Sequence, residues 1–193
     1  VATLLAGLDR LPLTIEMAAA RLGSMTFDEL ALAIGEGAPM PVTHRSPVRR
    51  HRSLESLVAW SAELLDPSLR RTFTEFAVFA GSVAAADAAA VVGADRAGVI
   101  FDLAALAERS LLVADVGESA TRYRMLATVR SVAGRWLEES SSAGDVRRRH
   151  AEHFTDATRL IDAQIRTADE ARGRRRLDEI VAEVRAAHRW ARR

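Results

Sequence analysis

The chain has 193 residues, 49% of them apolar, no cysteine and a formal net charge of +1. That is enough for one ordinary domain or several small helical ones around a buried core, and it excludes disulfides and thiolate metal sites. Although the pI is near 8.7, the near-balanced charge gives no bulk electrostatic argument for a nucleic-acid partner.

Residues 1–35 predict two or three short helices, one ending near Leu8, one from Pro12 to Leu22 and one from Phe27 to Ile34. Pro12 suits a first helical turn, where its missing N–H costs nothing, and Thr26 with Glu29 forms a capping box for the third helix. Leu13, Met17 and Ala20 repeat at helical spacing, but the bundle is too small to stand alone. Residues 36–52 hold Gly37, Pro39, Pro41, Pro47 and the run Arg49-Arg50-His51-Arg52, and read as a linker.

From residue 53 to 139 the order of elements points to a winged-helix domain. A helix at about 54–65 places Leu57, Trp60 and Leu64 on one face. Asp66-Pro67 then supplies an N-cap and first-turn proline for a helix bearing Leu69, Phe73, Phe76 and Ala80, which Gly81 stops. A short Ala-rich helix (about 84–92) and an amphipathic one (about 96–109, with Ile100, Leu103 and Leu106 inward) lead into the strand-like Leu111-Leu112-Val113. A turn around Gly117 returns the chain through Thr121 to Leu126 as a β-hairpin, and a closing helix aligns Val129, Val132, Ala133, Trp136 and Leu137. After Ser140-Ser141-Ser142-Ala143-Gly144, helices at about 145–165 and 169–191 form an αα-hairpin like the first unit of a helical repeat array. The fold class expected is mainly α, with a single β-hairpin.

Each residue with a sharp reading also has a plain one. Trp60, Trp136 and the cluster Phe73, Phe76 and Phe79 sit at helical spacing and are expected in the core, not on a base-stacking platform. His150 and His153 share a helix face, but no third ligand is placed beside them, so no metal is expected. The run Arg45 to Arg52 could touch phosphates, against the plainer reading of a solvated linker. Arg147-Arg148-Arg149 and Arg174-Arg175-Arg176 lie among Asp145, Glu152, Glu170 and Glu179 and are expected to form surface pairs. All 27 basic residues are Arg, which reads as codon bias in a GC-rich genome. No apolar run approaches the ~18 residues of a membrane-spanning helix, and no secretion signal opens the sequence. A cytoplasmic location without a membrane partner is expected.

A DNA-reading helix should present Arg, Asn or Gln and a basic wing. Here the helix from Arg96 to Arg109 carries Asp95, Asp102 and Glu108, and the wing carries Asp115 and Glu118. Those carboxylates repel phosphates, so direct DNA binding by this chain is not expected. A winged-helix DNA-binding transcription factor is the alternative.

The stretch from Leu8 to Leu22 (LDRLPLTIEMAAARL) resembles the Gly-Leu-Pro-Leu segment of NB-ARC ATPases of the STAND class. Arg52-Ser53-Leu54, Trp60-Ser61, Leu64-Leu65, Phe76 to Gly81 (FAVFAG), Leu106 to Leu112 (LAERSLL) and Arg122 to Arg130 (RYRMLATVR) resemble the family's later motifs. Residues 147–190 resemble the start of its tetratricopeptide-like sensor. The family includes LuxR-type and antibiotic-regulator-type transcription factors of actinobacteria.

The resemblance implies four parts: 1–35 a helical subdomain, 36–52 a linker, 53–139 a winged helix and 140–193 the start of a TPR-like array. It implies a lid that holds an upstream nucleotide-binding domain closed, with an effector at the TPR-like region and homo-oligomer formation on activation. ADP or ATP is the implied cofactor of the complete protein. Pro12 is then the adenine-proximal residue and Arg52 a second cofactor contact, although no tight binding to this chain alone is expected. Arg10 stands where the family has glycine, and Leu126 where it has a phosphate-sensing histidine. With no Lys anywhere, no G-x-x-x-x-G-K-[ST] loop exists, so the chain is not expected to be an enzyme by itself.

Overall fold

The computed structural model describes residues 15, 19, 22, 26, 28, 29, 55, 57–92, 95–117, 120–167 and 169–192. The capping box is present: the Thr26 N–H donates to Glu29 Oε2 at 2.7 Å, and the Glu29 N–H to Thr26 Oγ1 at 3.3 Å. The remainder of the expected N-terminal helices and the linker at 36–52 lie outside the described residues.

Helix α1 (57–63) buries Leu57, Val58 and Ala62. Leu64 is 52% exposed against the expectation, because Leu65 in the turn that follows fills the core instead. Asp66 then caps α2 (Pro67–Phe76), its Oδ1 accepting from the Ser68 and Leu69 N–H groups at 3.0 Å each. The helix ends at Phe76, four residues before the expected stop. The Ala77, Val78 and Phe79 N–H groups instead bond carbonyls three residues back, a tightening that swings Phe79 into the core.

The chain continues through β1 (Val83–Ala84), α3 (Ala85–Val91), α4 (Arg96–Glu108), β2 (Val113–Val116) and β3 (Thr121–Arg124). The hairpin was foreseen, whereas β1 was not. Two residues in an Ala-rich stretch carry no alternation, and only pairing with β3 makes them a strand. The sheet order is β1-β3-β2, antiparallel throughout, with Val83 opposite Tyr123 and Ala114 opposite the same residue on the other edge. Helix α5 (Ala127–Glu139) closes the unit, packing Trp136 edge-on to Phe73 at a centroid distance of 6.0 Å. Helices, a small antiparallel sheet with a wing, and a closing helix make this a winged helix.

The exit from α4 sets the wing's direction. Ser110 has φ 57, the left-handed region that favours glycine. The Leu111 N–H reaches the Leu106 carbonyl at 3.0 Å and the Ser110 N–H the Ala107 carbonyl at 2.9 Å, a Schellman turn. Its hydrophobic pair, Leu106 and Leu111, is fully buried, and this packing holds a serine in a glycine conformation.

Helices α6 (Ala143–Ile165) and α7 (Glu170–Ala191) form the expected αα-hairpin. At its turn, a Cβ on Gly173 would lie 2.8 Å from Ile165 Cγ1, so the two helices approach this closely only at a glycine. The inner face of the hairpin is not left open. Val146, Phe154, Ile161 and Ile180 belong to the same core as Phe73, Leu103 and Val132 of the winged helix.

One buried carboxylate anchors the union. Glu183 of α7, 1% exposed, accepts from the Ala80 N–H at 3.0 Å, the Gly81 N–H at 2.7 Å and His150 Nε2–H at 2.9 Å. A Cβ on Gly81 would sit 3.3 Å from the Ala182 Cβ, so glycine also permits the close approach of α7. Replacing Glu183 by Leu leaves the buried His150 and two part-buried backbone N–H groups without an acceptor and should cost ~3–5 kcal/mol, read by urea unfolding. Ser110→Gly should instead stabilise by ~1 kcal/mol, since it relieves the left-handed strain; an unchanged or lower midpoint would contradict that account.

Candidate nucleic-acid interface

In a winged helix the second and third helices and the wing make the surface that meets a partner, here α3, α4 and the β2–β3 turn. Asp95 starts α4, its carboxylate accepting from the Ala97 and Gly98 N–H groups at 3.1 Å each. Val99, Leu103 and Leu106 face the core at helical spacing. This corrects the expected inward set: Val99 takes the position assigned to Ile100, which is 44% exposed.

The outward face of α4 carries Arg96, Ile100, Phe101, Ala104 and Glu108. Phe101 is 77% exposed and Val116 of the wing 79%. Arg124 is exposed on β3. Arg122 is not available in the same way: its Nη2 donates to the Ser82 carbonyl at 2.6 Å and its Nη1 pairs with Glu179 of α7 at 3.2 Å.

The acidic residues of α4 do not form the repelling face that the sequence suggested. Asp102 is half-buried and accepts from Thr72 Oγ1 at 2.6 Å, tying α4 to α2, and Asp95 is used as a cap. Glu108 and Asp115 remain exposed. The face is therefore apolar at its centre, with Arg96 and Arg124 toward its edges.

A second cluster fixes this surface from behind. Asp87, in the first turn of α3, receives two hydrogen bonds from Arg176 Nη2 at 2.7 and 2.6 Å and one from His153 Nε2–H at 3.0 Å. Arg176 also pairs with Glu179 at 3.1 Å, and Glu179 with Arg122. Burial alone would raise the Asp87 carboxyl, but the hydrogen bonds and charges of His153 and Arg176 outweigh it and hold the group below its ordinary 3.8. Arg176 is raised in turn: burial opposes its charge, and Asp87 and Glu179 overcome that opposition.

Several expected assignments change here. Arg148 and Arg174 make the foreseen surface pairs with Glu152 and Glu170. Arg176 makes one with Glu179 and adds Asp87, whereas Arg149 turns inward to Glu75. Arg149 Nε donates to the Val91 carbonyl at 2.8 Å, capping the end of α3, and Arg176 belongs to the Asp87 cluster. His150 and His153 serve different carboxylates, Glu183 and Asp87, and among the described residues no group of three or more His, Cys, Asp or Glu could hold a metal. Pro12, Arg52, Arg10 and the run Arg45 to Arg52 lie outside the described residues. Leu126 is the N-cap residue of α5 and makes no side-chain capping bond.

Comparison with known proteins bears on this surface directly. Residues 65–138 match the family model of the winged helix-turn-helix domain. The chain is 33% identical over 189 residues, 96% of its length, to a protein of Mycobacterium tuberculosis named as an HTH-type transcriptional regulator, and equally to its Mycobacterium bovis counterpart. It is 30% identical over 162 residues to an uncharacterized M. bovis protein. The chain spans only 21% of the named regulators and 41% of the uncharacterized protein. The match across α2 to α5 overturns the expectation that this chain does not bind DNA directly. The physical reason is that two of the carboxylates counted against it already hold donors of the domain, Asp95 the first N–H groups of α4 and Asp102 the Thr72 hydroxyl of α2.

Because its folded value is depressed, Asp87 contributes stability that is present above its ordinary value and lost as pH falls through the depressed one. Asp87→Asn should therefore destabilise at neutral pH by roughly 2–4 kcal/mol, and the gap to the parent should close as pH drops below about 4. Urea unfolding at a series of pH values measures it; a gap that persists unchanged into acid would sink the assignment.

Proposed function

We propose that this chain is the winged-helix segment of a transcriptional regulator and that it contacts DNA through α4 and the wing. The observation that carries this is an outward α4 face with an apolar centre, Ile100, Phe101 and Ala104, on a winged helix-turn-helix scaffold matched over residues 65–138. The relatives' name as transcriptional regulators supports it.

The side chains define the mode of contact. Phe101 and Ala104 can meet thymine methyl groups in the major groove, whereas Arg96 can bond guanine or a phosphate and Arg124 a phosphate beside the wing. With so few cations, affinity comes more from apolar fit than from counterion release, and T-rich sites are favoured. Fluorescence anisotropy with duplexes of varied sequence tests this. The salt slope should be shallow, about −2, and Arg124→Ala should reduce it by about 1. Phe101→Glu should weaken binding at least ~10-fold, a loss of ~1.4 kcal/mol. Failure of the folded chain to bind any duplex would refute the proposal.

A finer reading concerns the complete protein. The order of its motifs supports placement in a STAND-class NB-ARC regulator, with 1–35 as the helical subdomain, 36–52 as the linker, 53–139 as the winged helix and 140–193 as the start of a TPR-like array. ADP or ATP then binds an upstream nucleotide-binding domain near Pro12 and Arg52, in a cytoplasmic, non-membrane protein. Among the described residues, no helix is long and apolar enough to cross a membrane. This chain supplies no phosphate loop and no catalysis. The exposed Ile100, Phe101 and Val116 favour a resting state in which the upstream domain covers the same face that DNA would use.

A further inference from the structure

The junction of winged helix and hairpin contains a second feature, with chemistry unlike that of the α4 face. A cavity of about 170 Å³ opens between the end of α2 and helices α6 and α7. Arg147 of α6 and Arg189 and Trp190 of α7 line it, with Val78 and Ala186 supplying aliphatic wall. Arg147 pairs with Glu138, yet its Nε is the single buried side-chain nitrogen or oxygen among the described residues without a hydrogen-bond partner.

We propose that this cavity binds a small aromatic carboxylic acid. Guanidinium groups match a planar carboxylate, which can accept two parallel N–H bonds, and both Arg147 and Arg189 line the cavity. The indole and the aliphatic wall suit a flat apolar ring. The volume leaves room for one ring and its carboxyl group. The nearby acids are already used, Glu138 by Arg147 and Glu183 by His150 and two backbone N–H groups. A ligand seated here touches the winged helix at Val78 and both hairpin helices, so it stabilises their union. The inference stands independently of what α4 contacts.

The test uses the chain with its three tryptophan indoles labelled with nitrogen-15, Trp190 being assigned through Trp190→Phe. Titration with benzoate should shift the Trp190 resonance saturably and leave those of Trp60 and Trp136 in place. Arg189→Gln, at an exposed position, should keep the fold, as the two unmoved resonances report, and weaken binding about tenfold or more. The proposal is overturned by an absence of saturation at millimolar benzoate, by equal shifts at all three indoles, or by unchanged binding in Arg189→Gln. It is overturned equally if acetate or inorganic phosphate binds as well as benzoate, because that would mark a bare anion patch.

Discussion

A carboxylate buried among apolar side chains is unfavourable unless hydrogen-bond donors satisfy both of its oxygens, and the relation between the two halves of this chain follows from how Glu183 meets that demand. Its partners come from opposite sides: backbone N–H groups of Ala80 and Gly81 in the winged helix, and His150 of the hairpin's other helix. Neither half satisfies it alone. The surrounding aromatic packing has the same character, since Phe79 contacts both His150, at 5.6 Å, and Phe154, at 6.4 Å. The early end of α2 makes this possible. Had the helix run on to Ala80, its last N–H groups would have been spent on helical carbonyls, and Glu183 would have lacked two donors.

Arginine does much of the work of finishing helix ends. Arg70 donates to the Ala62 and Glu63 carbonyls at the end of α1 and lies 5.7 Å from the Trp136 ring. Arg149 finishes α3, Arg130 donates to the Ala80 carbonyl, and Arg122 to that of Ser82. A fork of several donors on a long stem can reach such carbonyls while its charge stays partly hydrated. Much of the positive charge counted in the composition is therefore internal. The outward face of α4 is left less basic than the pI alone would imply.

Elements with local signals were legible in the sequence. The Asp66-Pro67 start of α2, the 3.6-residue spacing of α5 and the turn at Gly117 depend on neighbours within a few positions, and all three are present. What sequence reasoning missed is set by distance along the chain. Strand β1 exists because of β3, about forty residues on, and the partners of Asp87 and the backbone partners of Glu183 lie further still. One signal was available: Asp87 is the lone charged residue in an Ala- and Val-rich helix, where an acid must either face water or find a buried cation. The error over Asp102 has the same origin, because the hydroxyl that binds it, Thr72, belongs to another helix.

These contacts make the hairpin more than an attached module. Helix α7 reaches α3 through Arg176 and Asp87, β3 through Glu179 and Arg122, and the end of α2 through Glu183. The three attachments fall within about two turns of one helix, from Arg176 to Glu183. A shift of α7 by a single turn, ~5.4 Å, would break all three at once, so small graded movements gain nothing. Seated, the helix holds α3 and the wing strand in their present orientation; displaced, it would take Arg176 from Asp87 and part Glu183 from the Ala80 and Gly81 N–H groups. The orientation of α3 and the wing strand relative to the hairpin is thus set by three named ion and hydrogen-bond contacts on one helix.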